Sequence, residues 1–282
     1  MKANILERLE RNELVAEPDK DAVRRFLKVA STVGFGKIAP RQEGYLFGDY
    51  KLPRCTSVLQ MDGSKAGALM EWAKREVAGR IEHILTGKLI KGDPITEWVI
   101  ADACKEGLVE PDRQRDQAAD VGTETHDEIE TYLTEDVLRD GSDGVLRFAE
   151  AWKRSGLTCI GTEIPVVWYD NNGLGFGGRL DILAYKDGRF YIGDNKTSRS
   201  VHESYGLQIS SYAKGVEQMS HGAIKIAGGF IFHIPNLETL NERQKKEYNK
   251  RGSLIEVKNL NEAFEHYRLL LGLYNKRNNK YF

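Results

Sequence analysis

The sequence predicts an α/β protein in which a mixed central β-sheet is flanked by helices and preceded by a mainly helical N-terminal region. Three observations support this fold class. Apolar residues recur at helical spacing over residues 64–85. Residues 157–197 alternate with period two and contain turn signals, which is typical of antiparallel strands. A helical pattern after residue 200 and an apolar strand pattern over 223–234 then indicate a helix inserted into one sheet.

The pattern changes at residue 157 and divides the chain into two parts. Residues 1–156 are predicted to be mainly helical, and residues 157–282 are predicted to form the core sheet and its helices. No Pro-rich linker separates them, so we expect one continuous domain. The remaining predicted elements are helices over 112–133, 144–155 and 261–274, a short irregular or strand-like patch over 45–59, and a short strand over 254–257.

The composition restricts the protein's class. Of its 282 residues, 40% are hydrophobic and 29% are charged, and no uncharged apolar run is long enough to span a membrane. The acidic start lacks an apolar signal segment, so we expect a cytoplasmic protein of a bacterial or phage-infected cell. Cys55, Cys104 and Cys159 are scattered, so neither a disulfide framework nor an iron–sulfur cluster is expected. The net charge of −1 argues mildly against a DNA-binding domain.

The most informative pattern is the register of two predicted hairpins. Asp187-Gly188 is a strong two-residue turn signal, and a turn there places Asp181 directly opposite Asp194. A three-residue loop ending at Gly173 places Glu163 opposite Asp181. Like charges opposed across strands are destabilising, so stability alone does not explain this row of acids.

Lys196 lies two residues beyond Asp194, so it should project from the same face of the sheet. A row of carboxylates next to a lysine suits a hard cation such as Mg²⁺, which prefers oxygen ligands. Such a cation would lower the pKa of a bound water, and the lysine could orient that water, deprotonate it or support charge on a phosphate. The alternative interpretation is a solvated sheet face with mixed charges.

The motifs resemble the PD-(D/E)xK nuclease superfamily, specifically its RecB-like exonuclease branch. The order GxxD, [DE]xK-T-S and QxxxY is matched by residues 178–181, 194–198 and 208–212. Residues 118–126 look like the helix segment that ends in the histidine of this branch. Residues 53–72 are similar to the N-terminal segment of phage exonucleases and of the mitochondrial genome maintenance exonuclease.

The resemblance implies a restriction-endonuclease-like core and a role for each matched residue. It implies that Asp181, Asp194 and His126 bind one or two Mg²⁺ or Mn²⁺ ions and that Lys196 is catalytic. The hairpin register adds Glu163 as a further candidate for the same site. The segments around these residues supply the expected substrate contacts, which are Arg179, Thr197, Ser198, Gln208 and Tyr212.

Several of these residues also have plainer interpretations. His126 and Glu130 share a helix face, as do Gln208 and Tyr212. Without the resemblance, His126 would be read as an ordinary helix histidine, and the second pair as a ligand contact or as packing under the sheet. Ser200 and Glu203 predict a capping box for the following helix.

We therefore expect a metal-dependent deoxyribonuclease, most simply an exonuclease in recombination, repair or replication that acts on single- or double-stranded DNA ends. A structure-specific or restriction-type endonuclease and a non-catalytic DNA-binding protein on a nuclease-like fold stay open, as do a homo-oligomer and a recombination partner protein. DNA contacts are expected from basic segments 243–251 and 276–280, and Tyr45, Phe47 and Tyr50 are candidates either for base stacking or for the core.

Overall fold

The computed structural model describes residues 10, 15–40, 42–63, 66–135 and 141–278. By its internal contacts the chain divides into two units, Met1–Met61 with Thr125–Phe282, and Asp62–Glu124. The first unit contains both β-sheets and the second is helical. The sequence-based boundary at residue 156 stays a prediction.

A small antiparallel sheet follows the first helix. The helix α1 (Glu17–Ala30) precedes the strands β1 (Gly34–Ala39), β2 (Gln42–Phe47) and β3 (Tyr50–Pro53) and the short helix α2 (Cys55–Leu59). The strands pair in the order β1-β2-β3. The first part of the patch predicted over 45–59 thus belongs to a meander that begins at Gly34, where glycines blur the alternation of side chains, whereas its last five residues form the helix α2.

The second unit consists of helical segments. The helix α3 (Ala66–Ile90) includes most of the helix predicted over 64–85, whose first two residues lie outside the described residues. The helix α4 (Glu97–Glu135) begins in this unit and ends in the first one. Its predicted start at residue 112 was wrong because Pro111, which usually ends or kinks a helix, lies inside it.

The predicted β-meander is confirmed. After α5 (Asp143–Ser155) come β4 (Thr158–Tyr169), β5 (Gly175–Lys186) and β6 (Arg189–Lys196), paired antiparallel in sequence order. Asp187 and Gly188 have φ values of 49° and 74°, as a type I′ turn requires. Lys186 pairs with Arg189, and Gly173 has a φ of 79° in the other loop, so both predicted turns form.

The remaining elements complete a mixed sheet. They are α6 (Glu203–Met219), β7 (Ile226–His233), α7 (Glu242–Arg251), β8 (Leu254–Val257) and α8 (Leu260–Asn278). The sheet order is β4-β5-β6-β7-β8, with β7 parallel to β6 and the other neighbours antiparallel. The predicted α/β fold class with a mixed, helix-flanked sheet is therefore confirmed.

The capping box predicted at Ser200 was wrong. The helix α6 begins at Glu203 after His202, which makes no side-chain cap. Ser200 is engaged elsewhere, since its Oγ accepts a hydrogen bond from Gln244 and its carbonyl accepts one from Ser198. A capping box forms instead at Asn241 and opens α7.

Two hydrophobic clusters join the sheet to its helices. The first includes residues of α1, α6 and α8, and the second includes residues of α4 and α5. Leu180 and Leu183 belong to the first cluster, whereas Ile182 belongs to the second. Strict alternation along a strand would place Leu180 and Ile182 on one face, so the alternation is interrupted beside Asp181.

Candidate functional site

The predicted row of acids lies where the β5–β6 ladder ends. The register holds as far as Ile182 and Gly193, which are the last paired residues, and Asp181 and Asp194 occupy the next position. β6 continues from there alongside β7, and Asp194 pairs with Ile231. The two aspartates therefore lie near one another in register without being a pair in the ladder.

Two carboxylates of this row join a histidine in a group that suits a metal ion. The side chains of His126, Glu163 and Asp181 each offer one ligand atom, and these atoms lie within 4.8 Å of one another. His126 Nδ1 is 3.8 Å from Asp181 Oδ2, which also accepts a hydrogen bond of 2.8 Å from the backbone N–H of Asn195. An imidazole with two carboxylates is a donor set that divalent cations accept.

Glu163 is held in an unusual conformation on β4. Its φ is 51°, in the left-handed region that non-glycine residues rarely adopt, at a cost of about 1–3 kcal/mol. Burial raises the pKa of its carboxyl group from 4.5 to about 7, and the negative charge of Asp181 adds to this rise. Arg179, whose Nη1 is 3.4 Å from Glu163 Oε2, acts in the opposite direction. The site therefore concentrates negative charge that the protein balances only in part.

Asp194 has a separate partner. Its side chain is 0% exposed, and its Oδ2 lies 2.5 Å from the ammonium nitrogen of Lys196. Burial raises the pKa of Asp194 to about 6, although the charge of Lys196 acts against the rise. Neither oxygen of Asp194 accepts a hydrogen bond of normal geometry from the described residues, so this ion pair is what balances its charge.

Lys196 stays charged in this environment. Burial alone would lower the pKa of its ammonium group, but the charges of Asp194 and Asp181 outweigh burial and the pKa is raised. The nitrogen also lies 5.2 Å from the centre of the Tyr205 ring, a cation–π distance. A charged lysine at this place can donate hydrogen bonds and support negative charge.

The loop after Lys196 is anchored from several sides. The Ser198 hydroxyl donates to the Ser200 carbonyl and accepts a hydrogen bond of 2.8 Å from the Tyr205 hydroxyl. The Ser198 carbonyl lies 2.7 Å from Nε2 of the buried His233. Ser198 therefore helps to fix the loop, and Thr197 beside it is half-buried.

Gln208 and Tyr212 lie together beneath the sheet. Both side chains are buried, and Gln208 Nε2 donates a hydrogen bond of 3.0 Å to the Tyr212 hydroxyl. The Tyr212 ring packs so tightly over Gly178 that a Cβ there would collide with it. Burial raises the pKa of Tyr212 well above its ordinary value, so its hydroxyl stays protonated. In this structure their contacts favour the packing interpretation that the sequence had left open.

Three residues near the site were missed or only partly noted from sequence. Glu130 accepts a hydrogen bond of 3.2 Å from the Thr162 hydroxyl, beside Glu163. Asn195 binds Asp181 through its backbone, and Tyr205 approaches Lys196 through its ring. Spacing from His126 was the only signal for Glu130, and backbone or ring contacts across strands leave no signal in a single sequence.

Several of the other residues predicted to contact DNA form ion pairs or aromatic contacts within the protein. Arg243 and Lys245 on α7 are paired with Glu247 and Glu242. The second basic segment is described only as far as residue 278, so Lys280 lies outside the described residues. The exposed ring of Tyr50 stacks on Tyr169 at 4.3 Å, and Phe47 lies beside the same ring.

Residues 68–274 match the sequence model of the PD-(D/E)XK nuclease superfamily, which is more than half of the chain. The chain belongs to this superfamily. Its membership supports a nuclease function, and PD-(D/E)XK nucleases generally use divalent metal ions, with which the group of His126, Glu163 and Asp181 is compatible. No curated protein matches the chain significantly. Among the described residues, no helix is both long and apolar enough to cross a membrane.

Proposed function

We propose that this protein is a metal-dependent DNA nuclease whose active site lies at the end of the β5–β6 hairpin. The observation that carries the proposal is the convergence of His126, Glu163 and Asp181 beside the buried pair of Asp194 and Lys196. The nuclease superfamily supports phosphodiester hydrolysis as the reaction, and DNA as the substrate is the simplest choice within it.

The donor set fits a divalent cation. The carboxylate oxygens of Glu163 and Asp181 suit Mg²⁺ or Mn²⁺, and the imidazole of His126 suits Mn²⁺ in particular. When bound, such a cation lowers the pKa of a water molecule and stabilises the charge that builds on a phosphate. Asp194 stays a proposed ligand on the strength of its motif, because its carboxylate contacts Lys196 in this structure.

The protein's own side chains would orient the substrate and support its charge. Lys196 stays protonated, so its role is to donate a hydrogen bond to the attacking water or to a phosphate oxygen rather than to remove a proton. Arg179 is exposed beside Glu163 and can contact a neighbouring phosphate. The hydrogen bond from Asn195 to Asp181 fixes the carboxylate on which the cluster depends.

The first experiment is cleavage of end-labelled linear DNA with Mg²⁺ or Mn²⁺, comparing the intact protein with Lys196→Ala. Lys214→Ala is the matched control, since Lys214 forms a similar partly buried ion pair with Glu217 on α6. We expect metal-dependent cleavage that Lys196→Ala abolishes and Lys214→Ala retains. If both variants cleave like the intact protein, the active site lies elsewhere; binding without cleavage in any divalent metal would favour the non-catalytic alternative.

Exonuclease action is the form of the activity that we propose, on the resemblance to the RecB-like branch. A covalently closed DNA circle has no end, so an exonuclease leaves it intact while it degrades the same circle after linearisation. Cleavage of closed circles at a comparable rate would refute exonuclease action and favour the structure-specific or restriction-type endonuclease. The proposed metal site is compatible with either result.

A further inference from the structure

The small sheet presents an exposed aromatic ring next to an arginine. The Phe35 ring on β1 is 49% exposed, and the guanidinium carbon of Arg54 lies 4.7 Å from its centre. The ring of Tyr45 on β2 meets Phe35 edge to face, with centroids 5.3 Å apart. We call these three residues the aromatic platform.

The platform contacts β5, the strand that also carries Asp181 of the candidate metal site. The backbone of Arg54 bridges Gly177 on β5, and Tyr45 packs so closely on Gly177 that a Cβ there would collide with it. Arg179, two residues further along β5, contacts Glu163. Asp181 is four residues from Gly177, which corresponds to roughly 13 Å along a strand. Both features belong to one unit of the chain, so this distance is fixed by the sheet.

Phe35 differs from the other aromatic residues of the small sheet in its neighbours rather than in its exposure, since Tyr50 is also 44% exposed. Phe47 and Tyr50 pack on Tyr169, which gives them a structural role. Tyr45 is held in place by Gly177, whereas about half of Phe35 faces solvent with a cationic group beside its ring. An aromatic ring supported by a guanidinium group is a surface on which a nucleic-acid base can stack.

Arg54 is also free to exchange its partner. It forms a 2.7 Å ion pair with Glu43, and both side chains are substantially exposed. Exposed ion pairs of this kind contribute little to stability, so a phosphate can replace the carboxylate at little cost. Arg179 contacts Glu163 further along β5, so one arginine is available for a phosphate beside the exposed ring and another beside the acids.

We propose that the aromatic platform is a binding subsite for one unpaired nucleotide of the strand that enters the active site. The base stacks on Phe35, and Arg54 contacts the adjacent phosphate. This inference rests on the proposed nuclease function and narrows its substrate to a single strand or an unpaired DNA end. Fully paired ends would have to open by at least one nucleotide before they occupy the subsite.

The test measures binding of a labelled single strand by fluorescence anisotropy, with Ca²⁺ in place of Mg²⁺ to slow cleavage. Phe35→Leu removes the ring and keeps an apolar side chain, Phe35→Trp restores a ring, and Tyr50→Leu is the control for a general effect on the small sheet. We expect Phe35→Leu to weaken binding about 5- to 150-fold, as 1–3 kcal/mol per stacked base implies. Phe35→Trp and Tyr50→Leu should bind like the intact protein.

A second arm replaces one base at a time by an abasic site. When the abasic site lies at the stacked position, the intact protein should bind that strand as weakly as Phe35→Leu binds the normal strand. Phe35→Leu should bind the abasic strand hardly more weakly still, because both changes remove the same contact. Equal loss with Phe35→Leu and Tyr50→Leu, or additive losses at every abasic position, would overturn the subsite. If the intact protein cleaves DNA but Phe35→Leu binds normally, only the subsite is refuted; if it neither binds nor cleaves DNA, the proposed function itself fails.

Discussion

In the metal-free protein, we expect the free energy of unfolding to fall as the pH rises from 5 to 7.5, and Glu163 to cause a large part of the fall. Burial, together with the charge of Asp181, raises the pKa of Glu163 from 4.5 to about 7. The folded protein therefore binds a proton that the unfolded chain has already released in this range. Stability that depends on a proton bound only in the folded state is lost as the pH passes the folded-state pKa.

The size of the effect follows from the two pKa values. The rise from 4.5 to about 7 corresponds to about 3 kcal/mol over the whole titration. Between pH 5 and 7.5, about 2 kcal/mol of this should be lost. Glu163→Gln removes the titrating group and should reduce the fall by that amount. Asp194, whose pKa is raised to about 6, adds a fall of the same sign that both proteins share.

The measurement is urea unfolding in EDTA at several pH values, for the intact protein and for Glu163→Gln. Glu265→Gln is the control, since this carboxylate is exposed on α8 and paired with Arg268. With saturating Mg²⁺ or Mn²⁺, the stability gained by the intact protein should be larger at pH 7.5 than at pH 5, because protons compete with the cation for the carboxylates. Parallel pH profiles for the intact protein and Glu163→Gln would refute this account of the site.

Three further predictions concern single contacts. Lys196→Met should destabilise the protein by about 3–5 kcal/mol in urea unfolding, because it leaves the buried Asp194 charge unpaired, and adding Asp194→Asn should restore part of the loss. Single-turnover cleavage should slow less in Tyr205→Phe, which keeps the ring beside Lys196 and loses only the hydrogen bond to Ser198, than in Tyr205→Leu, where it should be at least several-fold slower without a matching change in DNA affinity. Gly178→Ala should cost about 1–3 kcal/mol in thermal or urea unfolding, because its Cβ would collide with the ring of Tyr212.

Turn chemistry made much of the hairpin register predictable. A two-residue Asp-Gly turn requires both residues in the left-handed region, and Asp187 and Gly188 adopt it. Counting outward from that turn predicts the pairing as far as Ile182 and Gly193. The count did not predict that the ladder ends there, because a turn sets the register of a hairpin and not the length of its ladder; β6 continues beyond that point alongside β7.

The sequence predicted which residues belong to the candidate site. It did not predict that they form two groups, one with His126 and one with Lys196. His126 lies more than thirty residues before the strands, and only the resemblance singled it out; its contact with Asp181 comes from the way α4 packs on the sheet. The left-handed backbone of Glu163 had no sequence signal, since glutamate does not favour that region. Phe35 was overlooked because its strand is rich in glycine, so the alternation that would have marked an exposed aromatic side chain was absent.

The two groups of acids differ in whether they need a cation from solution to balance their charge. Asp194 is fully buried, but it carries its own counter-charge in Lys196 at 2.5 Å. Glu163 and Asp181 share their end of the sheet with a histidine and with Arg179, whose side chain is largely exposed and lies 3.4 Å from Glu163. An exposed cation offsets the repulsion between partly buried carboxylates poorly, so we expect Glu163 and Asp181 to destabilise the metal-free protein more than the paired Asp194 does. An external divalent cation would relieve that cost at Glu163 and Asp181 and would gain much less at Asp194, which is why we place the first metal ion with His126 rather than with Lys196.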